Sequence, residues 1–193
     1  IFRLIKSDSL PEKKLIYNLS EQKQVKELSV ILSSDRFSEV QSRLRNAGMR
    51  TGFCSLFYGS PGTGKTETVY QIARATGRDI LRVDVDKIKS YWVGESEQNM
   101  KKLFDRYRNI CKDSSLAPIL LFNEADAILG IRMEGATRAV DKMENSIQNI
   151  ILQEMEALDG IMIATTNLTT NLDKAFERRF LYKIQFNRPT VEA

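Results

Sequence analysis

The sequence predicts an α/β protein of three layers, in which helices cover both faces of a five-stranded parallel sheet. Five short segments with the apolar patterns of strands alternate along the chain with longer segments whose apolar residues recur at helical spacing. The segment 119–122 is apolar at every position, as a parallel strand covered on both faces requires. With 193 residues, 42% of them hydrophobic, the chain is expected to bury one core and to form one domain.

The first part of the chain is predicted to be helical. Two groups of apolar residues recur there at helical spacing: Val25, Leu28, Ile31 and Leu32, then Phe37, Val40 and Leu44. They predict two consecutive helices within residues 20–46. We therefore assign residues 1–48 to an N-terminal helical part and residues 49–188 to the core that carries the sheet.

Strands and helices alternate through the rest of the chain. The predicted strands are 53–58, 80–85, 119–122, 161–165 and 181–186. The predicted helices are 65–76, 96–112, 143–158 and a short one at 173–177. The last strand alternates between apolar and polar residues, which is typical of a strand at the edge of a sheet.

Composition excludes several kinds of chemistry. The chain has no histidine, so serine or cysteine nucleophiles activated by histidine and zinc sites with histidine ligands are excluded. The cysteines Cys54 and Cys111 form no CxxC pair and are predicted to be reduced and buried, as in a cytoplasmic protein. The net charge of +4 permits an anionic partner without requiring one.

Nothing in the sequence predicts attachment to a membrane. The longest apolar run, 116–122, has seven residues and contains a proline, so it is too short to cross a bilayer. No signal peptide opens the chain, and a cytoplasmic location is expected. The first residue is Ile1 rather than a methionine, and we expect the chain to be part of a longer protein.

A glycine-rich segment between a predicted strand and a predicted helix indicates phosphate binding. The chain contains a full G-x-x-x-x-G-K-T motif: Gly59-Ser60-Pro61-Gly62-Thr63-Gly64-Lys65-Thr66. Its glycines let successive backbone N–H groups turn toward one point at a helix N-terminus. Lys65 is expected to reach the β- and γ-phosphates of a nucleotide, and the Thr66 hydroxyl to bind Mg²⁺. The alternative is a plain glycine-rich turn, but the strand before and the helix after favour a phosphate loop.

The strand 119–122 ends in two polar residues, Asn123 and Glu124. Ligands of open parallel sheets lie at the carboxyl ends of the strands, so both residues are expected near the same phosphates. Glu124 is placed to orient or deprotonate the water that attacks the γ-phosphate. The alternative is an acidic residue in the first turn of the following helix, where it would only complement the helix dipole.

These motifs resemble those of the AAA+ ATPases, in particular the AAA subgroup and its bacterial members. The resemblance covers about residues 50–188 and implies a P-loop NTPase sandwich that binds ATP and Mg²⁺. Ala164-Thr165-Thr166-Asn167 is similar to the sensor-1 segment of that family. This implies that Asn167 positions the attacking water and senses the γ-phosphate. By position alone, Tyr17 and Asn18 are expected near the adenine.

The resemblance continues through a second segment, Leu172-Asp173-Lys174-Ala175-Phe176-Glu177-Arg178-Arg179-Phe180. It resembles the second region of homology, in which paired arginines act on the ATP of the neighbouring subunit. Arg178 and Arg179 would then be arginine fingers. Without the family, they would be a solvated basic pair beside a strand.

Position 123 departs from the family pattern, which has aspartate there. The Asn123 oxygen can still accept a hydrogen bond from a Mg²⁺-bound water, but it brings no negative charge. Weaker metal binding or slower turnover is therefore our hypothesis. A Mg²⁺ titration of ATP turnover in the wild type and in Asn123→Asp tests it, and identical curves would contradict it.

The segment Ser90-Tyr91-Trp92-Val93-Gly94-Glu95-Ser96-Glu97 resembles the first pore loop of AAA remodelling enzymes. Trp92 and Val93 would then line the channel of a ring and grip an extended polypeptide, because an aromatic ring offers a large contact area at low entropic cost. The alternative places Trp92 in the core before a helix. Residues 130–141, with Arg132, Glu134 and Arg138, would form a second pore-facing loop.

Together, these features predict a Mg-ATP hydrolase that assembles into a ring, a hexamer when complete, and remodels or unfolds protein substrates. The resemblance implies a helical lid after residue 190, and we expect this chain to lack it. Two other functions stay open. One is an AAA+ ATPase that acts on nucleic acid, because one helix carries Lys101, Lys102, Arg106, Arg108 and Lys112. The other is an ATP-binding scaffold with little turnover, because of Asn123.

Overall fold

A computed structural model describes residues 2–87, 96–131 and 139–191 of the chain. The strands of these residues are β1 (Phe2–Ile5), β2 (Phe53–Gly59), β3 (Ile80–Asp84), β4 (Ile119–Asn123), β5 (Ile161–Thr166) and β6 (Tyr182–Phe186). The helices are α1 (Leu19–Ile31), α2 (Ser34–Asn46), α3 (Lys65–Thr76), α4 (Ser96–Asp113), α5 (Asp126–Leu129), α6 (Ala139–Ala157) and α7 (Lys174–Glu177). Short 3₁₀ turns at Ser7–Ser9 and Val85–Lys87 complete the described elements. The predicted helices and strands are all present, with some shifts at their ends.

The strands form one sheet in the order β1-β3-β4-β5-β2-β6. Strands β2 to β6 are parallel, and β6 lies at an edge as its alternating pattern predicts. The predicted count of five strands is one too few, because β1 adds an antiparallel sixth strand beside β3. β1 falls within the segment predicted to be helical. Its four residues are too few to show a period, and pairing with β3 makes them a strand.

Each face of the sheet carries its own apolar core. On one face, Leu120 and Phe122 of β4 pack with residues of α4 and α6 such as Phe104 and Ile151. On the other, Ile119 and Leu121 of the same strand pack with residues of α1, α2 and α3: Leu28, Leu32, Phe37, Val69, Ile72 and Ala73. The two faces confirm the prediction that β4 is buried on both sides. They also confirm the three-layer architecture.

A buried arginine attaches the N-terminal helices to this core. Arg78, only 2% exposed, donates from Nε to the Leu32 carbonyl at 2.8 Å and from Nη1 to the Ala117 carbonyl at 2.8 Å. Its guanidinium also lies 5.0 Å from the centre of the Phe37 ring. One side chain therefore joins the end of α1, the side of α2 and the loop before β4.

The cysteines are free thiols, as predicted, with Cys54 buried in β2 and Cys111 half-buried on α4. Burial raises the pKa of the Cys54 thiol to about 12 and also raises the pKa of Cys111. Among the helices of the described residues, none is both long and apolar enough to cross a membrane.

Candidate active site

The phosphate loop connects β2 to α3, as the motif predicts. Gly62 and Gly64 have φ angles of +73° and +86°, the left-handed region that favours glycine. Gly59 is required by space as well, because an added Cβ would lie 2.0 Å from the Phe186 carbonyl oxygen of β6. Glycine is therefore favoured by backbone conformation at positions 62 and 64 and required by space at position 59.

Lys65 is a buried cation at the first turn of α3. Its side chain is 7% exposed, and its Nζ donates to the carbonyl oxygens of Gly59 and Ser60, each at 2.8 Å. Burial lowers the pKa of the Lys65 ammonium, whereas the negative charges of Asp126 and Glu124 act to raise it. Among the described residues, no carboxylate forms an ion pair with it. A buried ammonium held by carbonyls at a helix N-terminus fits a phosphate group.

A cleft of about 230 Å³ opens beside this lysine. Its lining residues come from three separate segments: Pro61, Gly62, Thr63, Gly64, Lys65, Thr66 and Glu67, then Glu124, and then Thr165, Thr166 and Asn167. The structure therefore brings together the phosphate loop, the end of β4 and the end of β5, which lie far apart in the sequence.

Asn123 lies behind the cleft and is hydrogen-bonded to two hydroxyl groups. Thr66 Oγ1 donates to Asn123 Oδ1 at 2.6 Å, and Thr165 Oγ1 donates to the same oxygen at 3.2 Å. Thr66 and Asn123, the two residues predicted to hold Mg²⁺, are thus in direct contact. Their oxygen atoms are of the kind that Mg²⁺ prefers.

Glu124 is exposed at the mouth of the cleft and has an unusual backbone conformation. Its φ of +53° is uncommon for a residue other than glycine and costs free energy. Two hydrogen bonds hold the chain there. The Glu124 N–H donates to Thr165 Oγ1 at 2.9 Å, and the Ala125 N–H donates to the Thr165 carbonyl at 2.8 Å.

Asn167 is an exposed residue at the end of β5, where Asp126 holds the chain. The Asn167 N–H donates to Asp126 Oδ1 at 3.0 Å, and the Thr166 hydroxyl donates to the same oxygen at 2.6 Å. The sequence interpretation gave no role to Asp126. It also gave no role to Thr165, although the sensor-like segment contains that residue.

Asp84, at the end of β3, is a further residue that the sequence interpretation missed. Its Oδ1 accepts from Asn123 Nδ2 at 3.3 Å and from Arg82 Nε at 2.9 Å. Burial raises the pKa of the Asp84 carboxyl, but the hydrogen bonds and charge of its neighbours, Arg82 above all, outweigh burial and hold that pKa below its ordinary value. No local signal in the sequence marks this residue, because it meets Asn123 only through the pairing of β3 with β4.

The two predicted arginine fingers do not line this cleft. Arg178 is exposed, and its side chain has no hydrogen-bond or ion-pair partner among the described residues. Arg179 is half-buried, pairs with Glu156 of α6 and donates to the Ala175 carbonyl at 3.0 Å. Its Nε is buried without a partner within the described part of the chain. Their action on a neighbouring subunit stays a prediction.

Other predictions concern the pore and the adenine. Trp92 and Val93 lie outside the described residues, as do Arg132, Glu134 and Arg138 of the second loop. The two pore-loop assignments therefore remain predictions. Tyr17 is described, and its hydroxyl is hydrogen-bonded to that of Thr68 on α3 at 2.7 Å. The N-terminal segment thus contacts the helix that begins at the phosphate loop, and burial raises the pKa of Tyr17.

Comparison with known proteins covers the same part of the chain. Residues 55–188 match the family model described as "ATPase family associated with various cellular activities (AAA)". Cell division protein C of Sulfolobus acidocaldarius is 31% identical over 144 residues, which are 71% of this chain and 37% of that protein. An AAA family ATPase of Sinorhizobium fredii is 32% identical over 147 residues, 76% of this chain and 42% of its own length.

A proteasome-associated ATPase of Thermobifida fusca is 32% identical over 158 residues, which are 72% of this chain and 26% of that protein. The chain thus spans less than half of the length of each of these three relatives. The family match contains the whole phosphate loop and every residue that lines the cleft. This chain is therefore an ATPase domain that belongs to the AAA family.

Proposed function

We propose that this domain binds Mg-ATP in the cleft and hydrolyses it within a cytoplasmic ring of identical subunits, a hexamer, that remodels or unfolds protein substrates. One observation carries the proposal. The phosphate loop, Glu124 and Asn167 share one cleft, whereas Arg178 and Arg179 lie outside it. In the proposed ring, a second subunit would supply the arginines and complete the site.

The phosphate loop and Asn123 are suited to hold the nucleotide and its metal ion. Backbone N–H groups of the phosphate loop and the Lys65 ammonium would bind the phosphates. The Thr66 hydroxyl would bind Mg²⁺ directly, and Asn123 Oδ1 would accept from a water bound to the ion. The bound ion would neutralise charge on the β- and γ-phosphates.

Glu124 and Asn167 would act on the attacking water. Both line the cleft, and each is held through its backbone by residues outside the phosphate loop: Glu124 by Thr165, and Asn167 by Asp126. A carboxylate that accepts a proton from water contributes about 100- to 10,000-fold to a rate. We assign that role to Glu124 and the positioning of the water to Asn167.

Arg178 and Arg179 would stabilise charge on the phosphoryl group of the neighbouring subunit's ATP. The exposed, unpaired guanidinium of Arg178 supports this, since nothing in the described part of this chain uses it. Positive charge placed at the developing charge of the transition state lowers the barrier. Hydrolysis would therefore depend on assembly of the ring.

A protein substrate is favoured over nucleic acid. The relative from Thermobifida fusca is named a proteasome-associated ATPase, which supports a polypeptide substrate gripped by Trp92 and Val93. Two of the basic residues of α4 are already engaged within the chain. Arg108 pairs with Asp105 and Glu154, and the Arg106 guanidinium lies 4.8 Å from the centre of the Phe2 ring.

ATP turnover per protomer, measured against protein concentration in the full-length protein, tests the proposal. Turnover should rise with concentration and then level off, because the arginines act across the subunit boundary. Glu124→Gln should lower it at least about 100-fold while leaving ATP binding intact. The Arg178→Ala/Arg179→Ala variant should lower it at least as much.

Three results would contradict the proposal. Turnover per protomer that stays constant down to dilutions at which light scattering shows monomers would rule out arginines acting in trans. Full activity of the arginine variant would rule out their role. Tight ATP binding with negligible turnover at every concentration would instead favour the nucleotide-binding scaffold.

A further inference from the structure

We propose that Asp84 is a positioning residue that fixes the direction of the hydrogen bonds around Asn123 and thereby keeps the Thr66 hydroxyl oxygen available to Mg²⁺. This inference rests on the proposed function, because it assumes that the cleft holds a nucleotide with Mg²⁺. It gives a role to Asp84, which lies on a different strand from every residue of the cleft.

The pairing of β3 with β4 places the two residues side by side. In the parallel register Asp84 is the partner of Asn123, and both stand at the carboxyl ends of their strands. Asn123 is 5% exposed, and its Nδ2 donates to Asp84 Oδ1 at 3.3 Å. The amide of Asn123 is therefore buried against a carboxylate on one side and two hydroxyl groups on the other.

An asparagine amide can sit in two orientations of nearly the same shape, related by exchange of its oxygen and nitrogen. An ionised carboxylate only accepts hydrogen bonds, so it admits only the orientation with Nδ2 toward Asp84. Arg82 in turn holds Asp84, through its Nε at 2.9 Å, and donates to the Tyr70 hydroxyl on α3. The Asn123 oxygen must then face the hydroxyls of Thr66 and Thr165.

This orientation decides what the hydroxyl groups can do. When the Thr66 hydroxyl donates its hydrogen bond to Asn123 Oδ1, both lone pairs of the hydroxyl oxygen remain available to a metal ion. In the opposite orientation, Asn123 Nδ2 would donate to the Thr66 oxygen and compete for those lone pairs. The same reversal would disturb Thr165, which accepts the Glu124 N–H while donating to Asn123.

The arrangement also predicts what happens when aspartate is placed at position 123 alone and when the residues at positions 84 and 123 are exchanged. With Asp84 unchanged, Asn123→Asp would replace the hydrogen bond between amide and carboxylate by two carboxylates in contact. The exchange Asp84→Asn/Asn123→Asp restores one amide and one carboxylate and leaves the net charge unchanged. In it, the amide at position 84 can accept from Arg82 and donate to the carboxylate at position 123.

The test measures how much Mg²⁺ strengthens ADP binding to the full-length protein. Calorimetry gives the Kd of ADP without and with Mg²⁺, and the ratio of the first to the second is compared between variants. Residues that support metal ligands typically change metal affinity about 10- to 100-fold when mutated. Asp84→Ala and Asp84→Asn should each lower the ratio at least about 10-fold, because neither residue at position 84 holds the Asn123 amide in one orientation. The exchange variant should keep the ratio within about threefold of the wild type or above it, because its carboxylate at position 123 accepts from both hydroxyl groups. Kd in the absence of Mg²⁺ should be similar in the wild type and the two Asp84 variants.

Asp79→Ala is the matched control. Asp79 is as buried as Asp84, with 26% against 22% of its side chain exposed, and it pairs with Lys6 far from the cleft. Asp79→Ala should leave the Mg²⁺ ratio at the wild-type value, and thermal unfolding of each variant reports general loss of stability.

An Asp84→Ala ratio like that of the wild type would overturn the inference. So would an exchange variant with a ratio as low as that of Asp84→Asn alone, a comparison that also decides the question if Asp84→Ala does not fold. Wild-type ADP binding that Mg²⁺ does not strengthen would count against the proposed function itself.

Discussion

At the scale of a single residue, Glu124 combines a strained backbone conformation with a place in the candidate active site. Its φ of +53° lies where an L side chain crowds the backbone, and the hydrogen bonds from its own N–H and that of Ala125 to Thr165 hold it there. The same conformation presents its side chain to the cleft. The strain and the proposed catalytic role thus belong to one residue.

Replacing Glu124 by glycine and by alanine separates the two effects. Glycine relieves the strain and alanine keeps it, so Glu124→Gly should be more stable than Glu124→Ala by about 0.5–1 kcal/mol. This ordering is the reverse of that in an ordinary helix or strand. Urea unfolding of both variants measures the difference, and an alanine variant of equal or greater stability would contradict the prediction. Both variants should lose turnover at least about 100-fold.

At the scale of elements, two close contacts fix how helices lie on the sheet. The side chain of Tyr107 on α4 contacts the start of β5. Its hydroxyl donates to the Pro118 carbonyl at 2.7 Å and accepts from the Ile161 N–H at 2.9 Å. Gly160 makes room for it, since an added Cβ would lie 2.3 Å from the Tyr107 hydroxyl oxygen. Arg78 fixes the N-terminal helices in a comparable way.

Gly160→Ala should therefore destabilise the domain. The new methyl group would displace the buried Tyr107 ring and weaken its hydrogen bonds, at a cost of about 2 kcal/mol or more. Gly130→Ala is the matched control, because a Cβ there meets its nearest atom at an ordinary 3.6 Å. We expect the control to change the free energy of unfolding by less than about 0.5 kcal/mol. Equal effects of the two substitutions in urea unfolding would show that the contact with Tyr107 is unimportant.

Arg78→Met should also lower stability, by about 2–4 kcal/mol. Methionine keeps much of the side-chain volume but leaves the carbonyls of Leu32 and Ala117 without their donors. Arg74→Met provides the comparison, because Arg74 is 41% exposed and, within the described residues, forms a single ion pair, with Glu12 at 3.6 Å. It should change stability by less than about 1 kcal/mol. Thermal and urea unfolding measure both variants, and similar stabilities would argue against Arg78 as an anchor.

At the scale of the whole molecule, the proposed ring makes a prediction about mixtures. Glu124→Gln retains its arginines, and the Arg178→Ala/Arg179→Ala variant retains an intact cleft. In rings mixed at random in equal amounts, about a quarter of the boundaries would join an intact cleft to intact arginines. The mixture should therefore recover a substantial part of wild-type turnover, although each variant alone is inactive.

The control for the mixing experiment is each variant alone at the same total concentration. A mixture no more active than the sum of its components, in samples shown by light scattering to contain mixed oligomers, would mean that the arginines do not act across the boundary. Arg179 would then act within its own chain, where it pairs with Glu156 and donates to the Ala175 carbonyl.

Local patterns were enough to determine much of this protein. The phosphate loop, the five parallel strands and the helices between them follow from glycine spacing, from short apolar runs and from apolar periods of two and 3.6 residues, because those signals lie within a few consecutive residues. The placement of Asn123 and Glu124 at the ligand-binding edge follows from a general property of parallel sheets. The family resemblance added the interpretation of Asn167.

Only the tertiary structure decided which distant residues meet. The pairing of Asp84 with Asn123, the support of Asn167 by Asp126 and the sixth strand β1 all depend on strand order and register. Four residues are too few to show an apolar period, so this segment becomes a strand only because it pairs with the open edge of the sheet at β3. A hydrogen bond between residues 39 positions apart leaves no local sequence pattern. The residues between them can vary as long as the fold brings the two ends together.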